Sequence, residues 1–535
     1  MKTRDDVTLR ADVHHPDGIE TTPTILVRIP FSLTIANRMR SDVIGRYWAS
    51  RGYTVVIQGT RGRYESEGIF YPLRDEREDG LDTLQWLLGQ PWYNGRLAMW
   101  GGSSFGHTQW AMADQNNPGP DAYFVQIAST NFRNMFYPGQ AFSLESAVYW
   151  TIRSRGDEDR EVSMADLEKG VNTLPLLEAD DVAIGPTDFY DDWLMHKDDE
   201  TYWKNIDGTH RAESLQAPML LMGGWYDPFL PSQLEDFQRI TQKAKPEVAA
   251  QSKLIIGPWG HATEVHVPGM TDPVPYRRGS LAPSVPWFDY QLGLSEVAYP
   301  PAPVTLFVMG ENIWREEQEW PLARTQYTPL FFHSRGEANT SMGDGWLDWQ
   351  PPTKSELSDT YVYDPLDPVP TAGGPMLGDR SGIVLQNEIE NRPDVLVYTT
   401  IPMEKPLEVT GQVRGELFVS TTVPSTDFTV KLVDVHIDGS VYNVCDGILR
   451  QTYNRSNQDS MIPVELSIDL WPTSHVFLVG HRIRVEISSS NFPRFDRNLN
   501  TGEPFATATR TQPATQSIHH TDKFPSRILL PIIPR

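Results

Sequence analysis

The sequence predicts an α/β protein with a mostly parallel sheet, a helical insertion and a separate all-β region at its C-terminal end. Apolar strand-like runs alternate with helical segments over residues 1–130 and again over 217–322, which is typical of a parallel sheet. Short alternating segments between Pro- and Gly-rich turns fill residues 323–535. The chain has 535 residues, too many for one compact core, so several domains are expected.

The first region is expected to alternate buried strands with helices. The Val- and Ile-rich runs have the composition of strands buried on both faces. We predict strands at Thr24–Ile29, Tyr53–Gln58, Leu97–Gly101 and Tyr123–Ala128, and helices at Ser41–Ser50, Glu76–Leu88 and Ser104–Asp114.

Residues 131–216 lack strong strand signals and carry amphipathic segments such as Met164–Glu178. We interpret them as a helical cap inserted into the sheet, because the strand pattern resumes at Met219 and Lys253. A cap over strand ends commonly shapes a substrate pocket.

The last region, residues 323–535, is predicted to form a β-sandwich. Its clearest alternating segments are Gly411–Val419, Asp427–Val435 and Arg482–Ser488.

A glycine-rich turn follows the third predicted strand, in the segment Leu97–His107. A strand, a tight turn with a serine and then a helix is the context of a nucleophile elbow. The pattern G-x-S-x-G selects Ser104, whereas the pattern shifted by one residue selects Ser103. The pattern by itself does not choose between them, and Gly-Ser turns also occur in ordinary loops.

Two further polar residues follow predicted strands in the order that a Ser–Asp–His set requires. Asp227 ends the run that begins at Met219, and His261 ends the run that begins at Lys253. Open α/β sheets place their sites at such strand ends. Taken singly, each residue has a structural alternative: Asp227 before Pro228 as a turn residue, and His261 as a residue that caps a strand or hydrogen-bonds to a loop. Three such residues in order favour nucleophilic catalysis.

Composition excludes several classes of partner. The net charge of −24 opposes binding to nucleic acid or anionic lipid. No apolar run reaches about 18 residues, which argues against a spanning helix. No Cys cluster, HExxH or EF-hand pattern suggests a metal. We therefore expect no metal, no cofactor, no nucleic acid and no membrane partner.

Cysteine usage and the N-terminal segment bear on the compartment. The polar segment Met1–Arg10 has no apolar core of a secretory signal. The single cysteine, Cys445, forbids an internal disulfide and is expected to be a buried small residue. These features predict a cytoplasmic protein.

The residues carry a family resemblance that runs nearly end to end. The chain resembles the cocaine esterase and X-prolyl dipeptidyl-peptidase group of serine hydrolases, which have an α/β-hydrolase core and a jelly-roll domain. The resemblance implies that Ser103 is the nucleophile, because the family pattern is Gly-x-Ser-Tyr-x-Gly, and that Asp227 and His261 are the acid and the base. The motifs that carry it include Gln58–Gly68, Pro91–Gly95, Gly224–Asp227, Gly257–His261, Asp364–Pro370, Thr426–Val435 and Ser488–Pro493.

One position departs from the family. The esterases of the group have Arg-x-Pro-Tyr after the first long strand, and that tyrosine and the N–H after the nucleophile form the oxyanion hole. Here the segment ends in Phe31, which has no hydroxyl, and the N–H of Ser104 remains. Losing one such donor typically costs about a hundred- to a thousand-fold in turnover. Replacement donors close in sequence are Ser32, Thr34 and His107.

Three aromatic residues match positions that line the acyl pocket in the esterase branch: Phe136, Trp150 and Phe229. An aromatic cleft favours an aromatic or other apolar acyl group. The alternative is that these rings are core residues.

Three hypotheses about function remain at this point. The first is a hydrolase of a small-molecule ester or amide. The second is an acyltransferase or amide-forming enzyme that uses the same residues, and the third is a silent binding protein. A homodimer is left open as a further expectation.

Overall fold

The computed structural model describes residues 1–18, 20–32, 35–155, 162–276, 281–353, 356–453 and 462–535. Within these residues, nine strands form one sheet in the N-terminal part of the chain. They are β1 Ala11–His14, β2 Thr22–Ile29, β3 Thr54–Gly59, β4 Tyr93–Gly102, β5 Ala122–Gln126, β6 Met219–Tyr226, β7 Lys253–Gly260, β8 Val304–Val308 and β9 Ile313–Glu317.

The order of the strands in this sheet is β1-β3-β2-β4-β5-β6-β7-β8-β9. The strands from β2 to β8 pair in parallel, and β1 and β9 close the two edges antiparallel. Every residue of β2, β3, β5 and β6 is buried. Parallel sheets are covered on both faces, which explains the continuous apolar runs of these strands.

Helices connect the parallel strands and fill the cap. Helices α1 to α3 and α11 to α13, as numbered below, connect successive strands of the sheet, and α4 to α10 all lie between β5 and β6. The helices are α1 Ile35–Ala49, α2 Glu76–Leu88, α3 Ser104–Trp110, α4 Phe132–Phe136, α5 Leu144–Ser154, α6 Met164–Asn172, α7 Ala179–Ala183, α8 Asp188–Met195, α9 Glu200–Lys204, α10 Thr209–Glu213, α11 Leu230–Lys243, α12 Pro246–Gln251 and α13 Ser284–Gln291.

The C-terminal part is all-β. Its strands are joined by hydrogen bonds into one sheet, in which two strands, numbered β14 and β19 in the list below, pair with each other outside the linear strand order. The strands are β10 Gln326–His333, β11 Trp346–Asp348, β12 Asp359–Tyr363, β13 Leu396–Thr399, β14 Leu407–Gly411, β15 Arg414–Thr421, β16 Ser425–Val435, β17 Val441–Thr452, β18 Val464–Asp469, β19 Thr473–Phe477, β20 Arg482–Ser488, β21 Ala514–His519 and β22 Arg527–Ile533. The predicted class, an α/β part followed by an all-β part, is confirmed.

The helical segment between β5 and β6 is tied to the all-β part by polar contacts. The buried Glu145 of α5 forms an ion pair with Arg380, and the N–H of Phe142 donates to Asp496 over 2.8 Å. The carboxylate of Glu145 would be costly to bury without its guanidinium partner. The loop around Arg380 therefore lies against the cap.

The domain limits stay as proposed from the sequence. The α/β core comprises residues 1–130 together with 217–322, the helical cap comprises 131–216, and the all-β domain comprises 323–535.

Several predicted elements differ from those in the structure. The expected strand Gly411–Val419 is broken, because Gly411 has a φ of 139° and ends β14 before β15 begins. The segment Met164–Glu178 is not one helix: α6 ends at Asn172, and a 3₁₀ turn follows Pro175, since a proline cannot continue the helix. Within the described chain, no helix is long and apolar enough to span a bilayer.

Candidate active site

Ser103 lies at the sharp turn between β4 and α3. Its φ of 55° and ψ of −127° are sparsely populated for a residue with a side chain, at a cost of about 1–3 kcal/mol. Glycines make the turn possible. A Cβ on Gly101 would lie 2.3 Å from Cβ of Phe105, and one on Gly106 would lie 2.6 Å from Cβ of Ala128. Strand and helix therefore approach too closely for other residues, as in a nucleophile elbow.

The structure brings Ser103, His261 and Asp227 together. Nε2 of His261 is 2.9 Å from Oγ of Ser103, and Nδ1 of His261 is 2.6 Å from Oδ2 of Asp227. The other oxygen of Asp227 accepts the N–H of Phe229 over 2.8 Å. An ionised carboxylate only accepts hydrogen bonds, so Nδ1 carries the proton and Nε2 is left to accept from the serine hydroxyl.

The three residues come from the carboxyl ends of three parallel strands, as the sequence predicts. Ser103 follows β4, Asp227 follows β6 and His261 follows β7. Asp227 is 1% exposed, which places its carboxylate in a medium where the bond to His261 is stronger than in water. Ser104 is the first residue of α3 and is buried. Its N–H has no acceptor within the helix because it belongs to the first turn.

The all-β part supports the loops that carry Asp227 and His261. The indole N–H of Trp471 donates to the backbone carbonyl of Asp227 over 3.2 Å. After His261, the hydroxyls of Thr263 and Ser381 are 3.2 Å apart. The sequence analysis missed Trp471 and Ser381, and no sequence signal identifies them, because 244 residues separate Trp471 from Asp227.

Phe31 packs beside the elbow. Its half-buried ring has its centroid 5.2 Å from that of Phe105. The guanidinium carbon of Arg153, at the end of α5, lies 5.5 Å from the Phe31 centroid. Sequence analysis did not identify Arg153, since it lies in the cap and 122 residues of chain separate it from Phe31.

Two of the suggested replacement donors have other contacts. The hydroxyl of Ser32 is buried and accepts from Nη1 of Arg63 over 3.1 Å. His107 is buried edge-on against Phe132, where burial and then the charge of Arg211 lower its pKa to about 3. The imidazole is therefore neutral at ordinary pH. Thr34 lies outside the described residues.

The three predicted pocket aromatics belong to one cluster that begins at His261. The ring of Phe229 is 5.6 Å from that of His261. Phe132 links Phe229, at 5.1 Å, to Trp150, at 5.4 Å, and Phe136 stacks on Trp150 at 6.0 Å. Phe136 has no exposed surface, so in this conformation it supports the indole of Trp150 from behind. Sequence analysis did not identify Phe132, the link in this cluster.

A serine on a strained strand–helix turn, at the carboxyl ends of a parallel sheet, defines the α/β-hydrolase class of serine hydrolases. Comparisons with known proteins agree. Residues 5–263 match the family model described as X-Pro dipeptidyl-peptidase (S15 family), and residues 297–529 match that of the X-Pro dipeptidyl-peptidase C-terminal non-catalytic domain. The chain belongs to this family, and it is an esterase-like serine hydrolase.

Individual relatives resemble the chain over nearly its whole length. A cocaine esterase from Rhodococcus sp. (strain MB1 Bresler) is 37% identical over 99% of this chain and 97% of its own. The crystal structure of an aminopeptidase from a marine sediment archaeon, Thaumarchaeota archaeon, has a TM-score of 0.83 at 25% identity and covers 100% of this chain and 95% of its own. The structure of an α-amino acid ester hydrolase shares the fold, with a TM-score of 0.81 at 22% identity, and covers 99% of this chain and 95% of its own.

Proposed function

We propose that the chain hydrolyses small-molecule esters through an acyl-enzyme on Ser103. The observation that carries the proposal is the continuous contact from Asp227 through His261 to Ser103, with distances of 2.6 and 2.9 Å. These distances match the requirement that a nucleophile, its base and the group that orients the base lie within hydrogen-bond reach.

In the proposed reaction, Oγ of Ser103 attacks the ester carbonyl while Nε2 of His261 takes the hydroxyl proton. The oxyanion of the tetrahedral intermediate accepts the N–H of Ser104. The carbon–oxygen bond to the leaving alcohol then breaks, and His261 returns the proton to that oxygen. Water attacks the acyl-enzyme by the same steps, which releases the acid. Asp227 stays ionised and stabilises the imidazolium. The reaction uses no cofactor.

The substrate class follows from the surroundings of His261. The cluster of Phe229, Phe132 and Trp150 offers aromatic surface beside the base, which favours an aromatic or apolar acyl group. The name of the Rhodococcus relative supports an ester substrate. With Phe31 in place of a hydroxyl donor, the oxyanion hole is weaker, and the more reactive ester carbonyl suits it better than an amide.

Phe31 is also the observation that favours a second candidate, acyl transfer to an amine or alcohol. An acyltransferase forms the same acyl-enzyme but delivers the acyl group to an acceptor other than water. Added amine then changes the ratio of amide to acid products. A hydrolase gives acid as its main product at every acceptor concentration.

The proposal is tested by labelling with a fluorophosphonate probe, read by intact mass and peptide mapping. We expect one adduct on Ser103 in the native chain, and none in Ser103→Ala or His261→Ala. Ser104→Ala is the matched control, because its backbone N–H is kept, and it should still react. An adduct on Ser104, or labelling that survives His261→Ala, contradicts the assignment.

Ester turnover then tests the substrate class. Aryl esters with benzoyl, phenylacetyl, acetyl and butyryl groups share one leaving group and differ only in the acyl part. We expect the aromatic acyl groups to have the highest kcat/KM, and Trp150→Ala to remove that preference. A preference for acetyl in the native chain contradicts an aromatic pocket.

A further inference from the structure

A cluster of one aspartate and three histidines lies in the all-β part, on elements other than those of the active site. Asp434 is in β16, and His436 follows that strand in the turn to β17. His475 is in β19, and His481 comes directly before β20. The spacing of these residues does not match a familiar metal motif, so no sequence signal identifies the cluster.

The ring nitrogens of all three histidines approach the same carboxylate oxygen. Oδ2 of Asp434 is 3.0 Å from Nε2 of His475, 3.0 Å from Nδ1 of His481 and 3.5 Å from Nε2 of His436. The ligand atoms of Asp434, His436 and His481 all lie within 4.8 Å of one another. Ligands bound to tetrahedral Zn²⁺ at about 2.0–2.1 Å lie roughly 3.3–3.4 Å apart. Small side-chain movements would therefore place these three atoms around one ion.

A bound cation explains this arrangement as well as hydrogen bonding does. Nδ1 of His481 is also 2.9 Å from Oδ1 of Asp434, so the carboxylate can accept from all three rings, provided that each nitrogen that faces it carries its proton. The rings of His436 and His481 also lie against each other, with centroids 4.3 Å apart. A cation between the nitrogens and the carboxylate would use the imidazole lone pairs directly. Imidazole and carboxylate are ligands that Zn²⁺ and its first-row neighbours accept.

The ligand atoms are held in place but remain accessible. Asp434, His475 and His481 are buried, whereas the side chain of His436 keeps 24% of its surface exposed. A cavity of about 210 Å³ adjoins the four residues and is also lined by Pro268 and Met309. This space would admit an ion and leave room for a water molecule as a further ligand.

His475 contacts the same carboxylate without belonging to the three proposed ligands. His475, whose nitrogen contacts Oδ2 from another side, would fix the orientation of the carboxylate, a common arrangement around bound metals.

We propose that Asp434, His436 and His481 bind one divalent transition-metal ion of the class that imidazole prefers, with Zn²⁺ as its representative, and that His475 positions the carboxylate. The ion would join the turn between β16 and β17 to the segment between β19 and β20. The cavity beside it includes Pro268 of the loop that follows His261. Its expected role is therefore to stabilise the all-β part where that part meets the α/β sheet. This proposal departs from the expectation of no metal drawn from the sequence.

The test uses the chain of residues 1–535 without a histidine tag, treated with EDTA and dialysed against metal-free buffer. Isothermal titration with Zn²⁺ is expected to show one strong site per chain. Co²⁺ in its place should give visible absorption bands of a low-coordinate site. Because an ion that binds only the folded chain stabilises it, saturating Zn²⁺ should raise Tm by at least about 3 °C.

His436→Gln is the principal variant, because this side chain is the most exposed of the four and contributes least to the core. It should weaken Zn²⁺ binding by at least about a hundredfold and remove the rise in Tm, and His481→Gln should do the same. The exposed His210, in α10, supplies the matched control His210→Gln, which should bind as the native chain does. Absence of a stoichiometric site in the native chain, or native Zn²⁺ affinity in both cluster variants, would show that the four residues form only a hydrogen-bonded cluster. The Zn²⁺ affinity and the change in Tm can both be measured whether or not the chain hydrolyses esters.

Discussion

Replacing Asp227 by Asn is the sharpest test of the proposed chemistry, since it changes one atom and keeps the shape of the side chain. The N–H of Phe229 must still find an acceptor, so the amide oxygen takes that position. The NH₂ group then faces Nδ1 of His261, 2.6 Å away in the native chain. Because NH₂ can only donate, Nδ1 must become the acceptor and the imidazole proton moves to Nε2.

With its proton on Nε2, His261 cannot take the proton of Ser103. The expected loss in kcat is about 10⁴-fold, which corresponds to about 5 kcal/mol of barrier. The assay is steady-state hydrolysis of an aryl ester, together with the rate of fluorophosphonate labelling and a thermal melt that checks folding. Asp469→Asn, at an exposed carboxylate, is the control and should keep full activity. A folded Asp227→Asn protein that loses less than about tenfold would refute the tautomer argument.

Three further predictions concern the oxyanion hole, the elbow and pH. Phe31→Tyr restores the family's hydroxyl donor and should raise ester kcat about tenfold or more; unchanged turnover would mean that another donor serves the site. Gly106→Ala places a Cβ 2.6 Å from that of Ala128 and should cost about 1–3 kcal/mol in urea unfolding, whereas Gly89→Ala, whose new Cβ has no neighbour closer than 3.6 Å, should be nearly neutral. Burial raises the pKa of Asp236 from 3.8 to about 7, so its carboxyl stays protonated in the fold where the unfolded chain has ionised. Between about pH 4 and pH 7, the free energy of unfolding of the native chain should therefore fall by up to about 4 kcal/mol relative to that of Asp236→Asn. If urea unfolding of the two proteins gives the same dependence on pH, Asp236 does not titrate in this way.

The parallel sheet was predictable because its strands are buried on both faces and read as continuous apolar runs. The sequence patterns located β2, β3, β4 and β5 to within a few residues, and helix α2 matched the expected Glu76–Leu88. Edge strands such as β1 and β9 were harder to see, because an edge strand is only partly covered and its sequence mixes polar with apolar residues. The break after Gly411 was missed because only two residues separate the end of β14 from the start of β15.

The three residues of the candidate active site were found for a related reason. Each follows a strand that can be recognised by itself, and a parallel sheet places the carboxyl ends of its strands on one edge. Local sequence thus located Ser103, Asp227 and His261 without any knowledge of contacts. The choice between Ser103 and Ser104 needed either the family resemblance or the backbone, where Ser103 has a positive φ and Ser104 does not.

The sequence by itself determined the class of fold, the order of its parts and the positions of Ser103, Asp227 and His261 at strand ends, since these depend on local periodicity and on turns. Tertiary structure decided which distant groups meet. Trp471 reaches the carbonyl of Asp227, and Phe132 joins the aromatic cluster to His261. The cluster around Asp434 likewise arises where the turn of the β16–β17 hairpin meets the connection between β19 and β20. Such contacts depend on how sheets and loops pack across hundreds of residues, so no local sequence pattern predicts them.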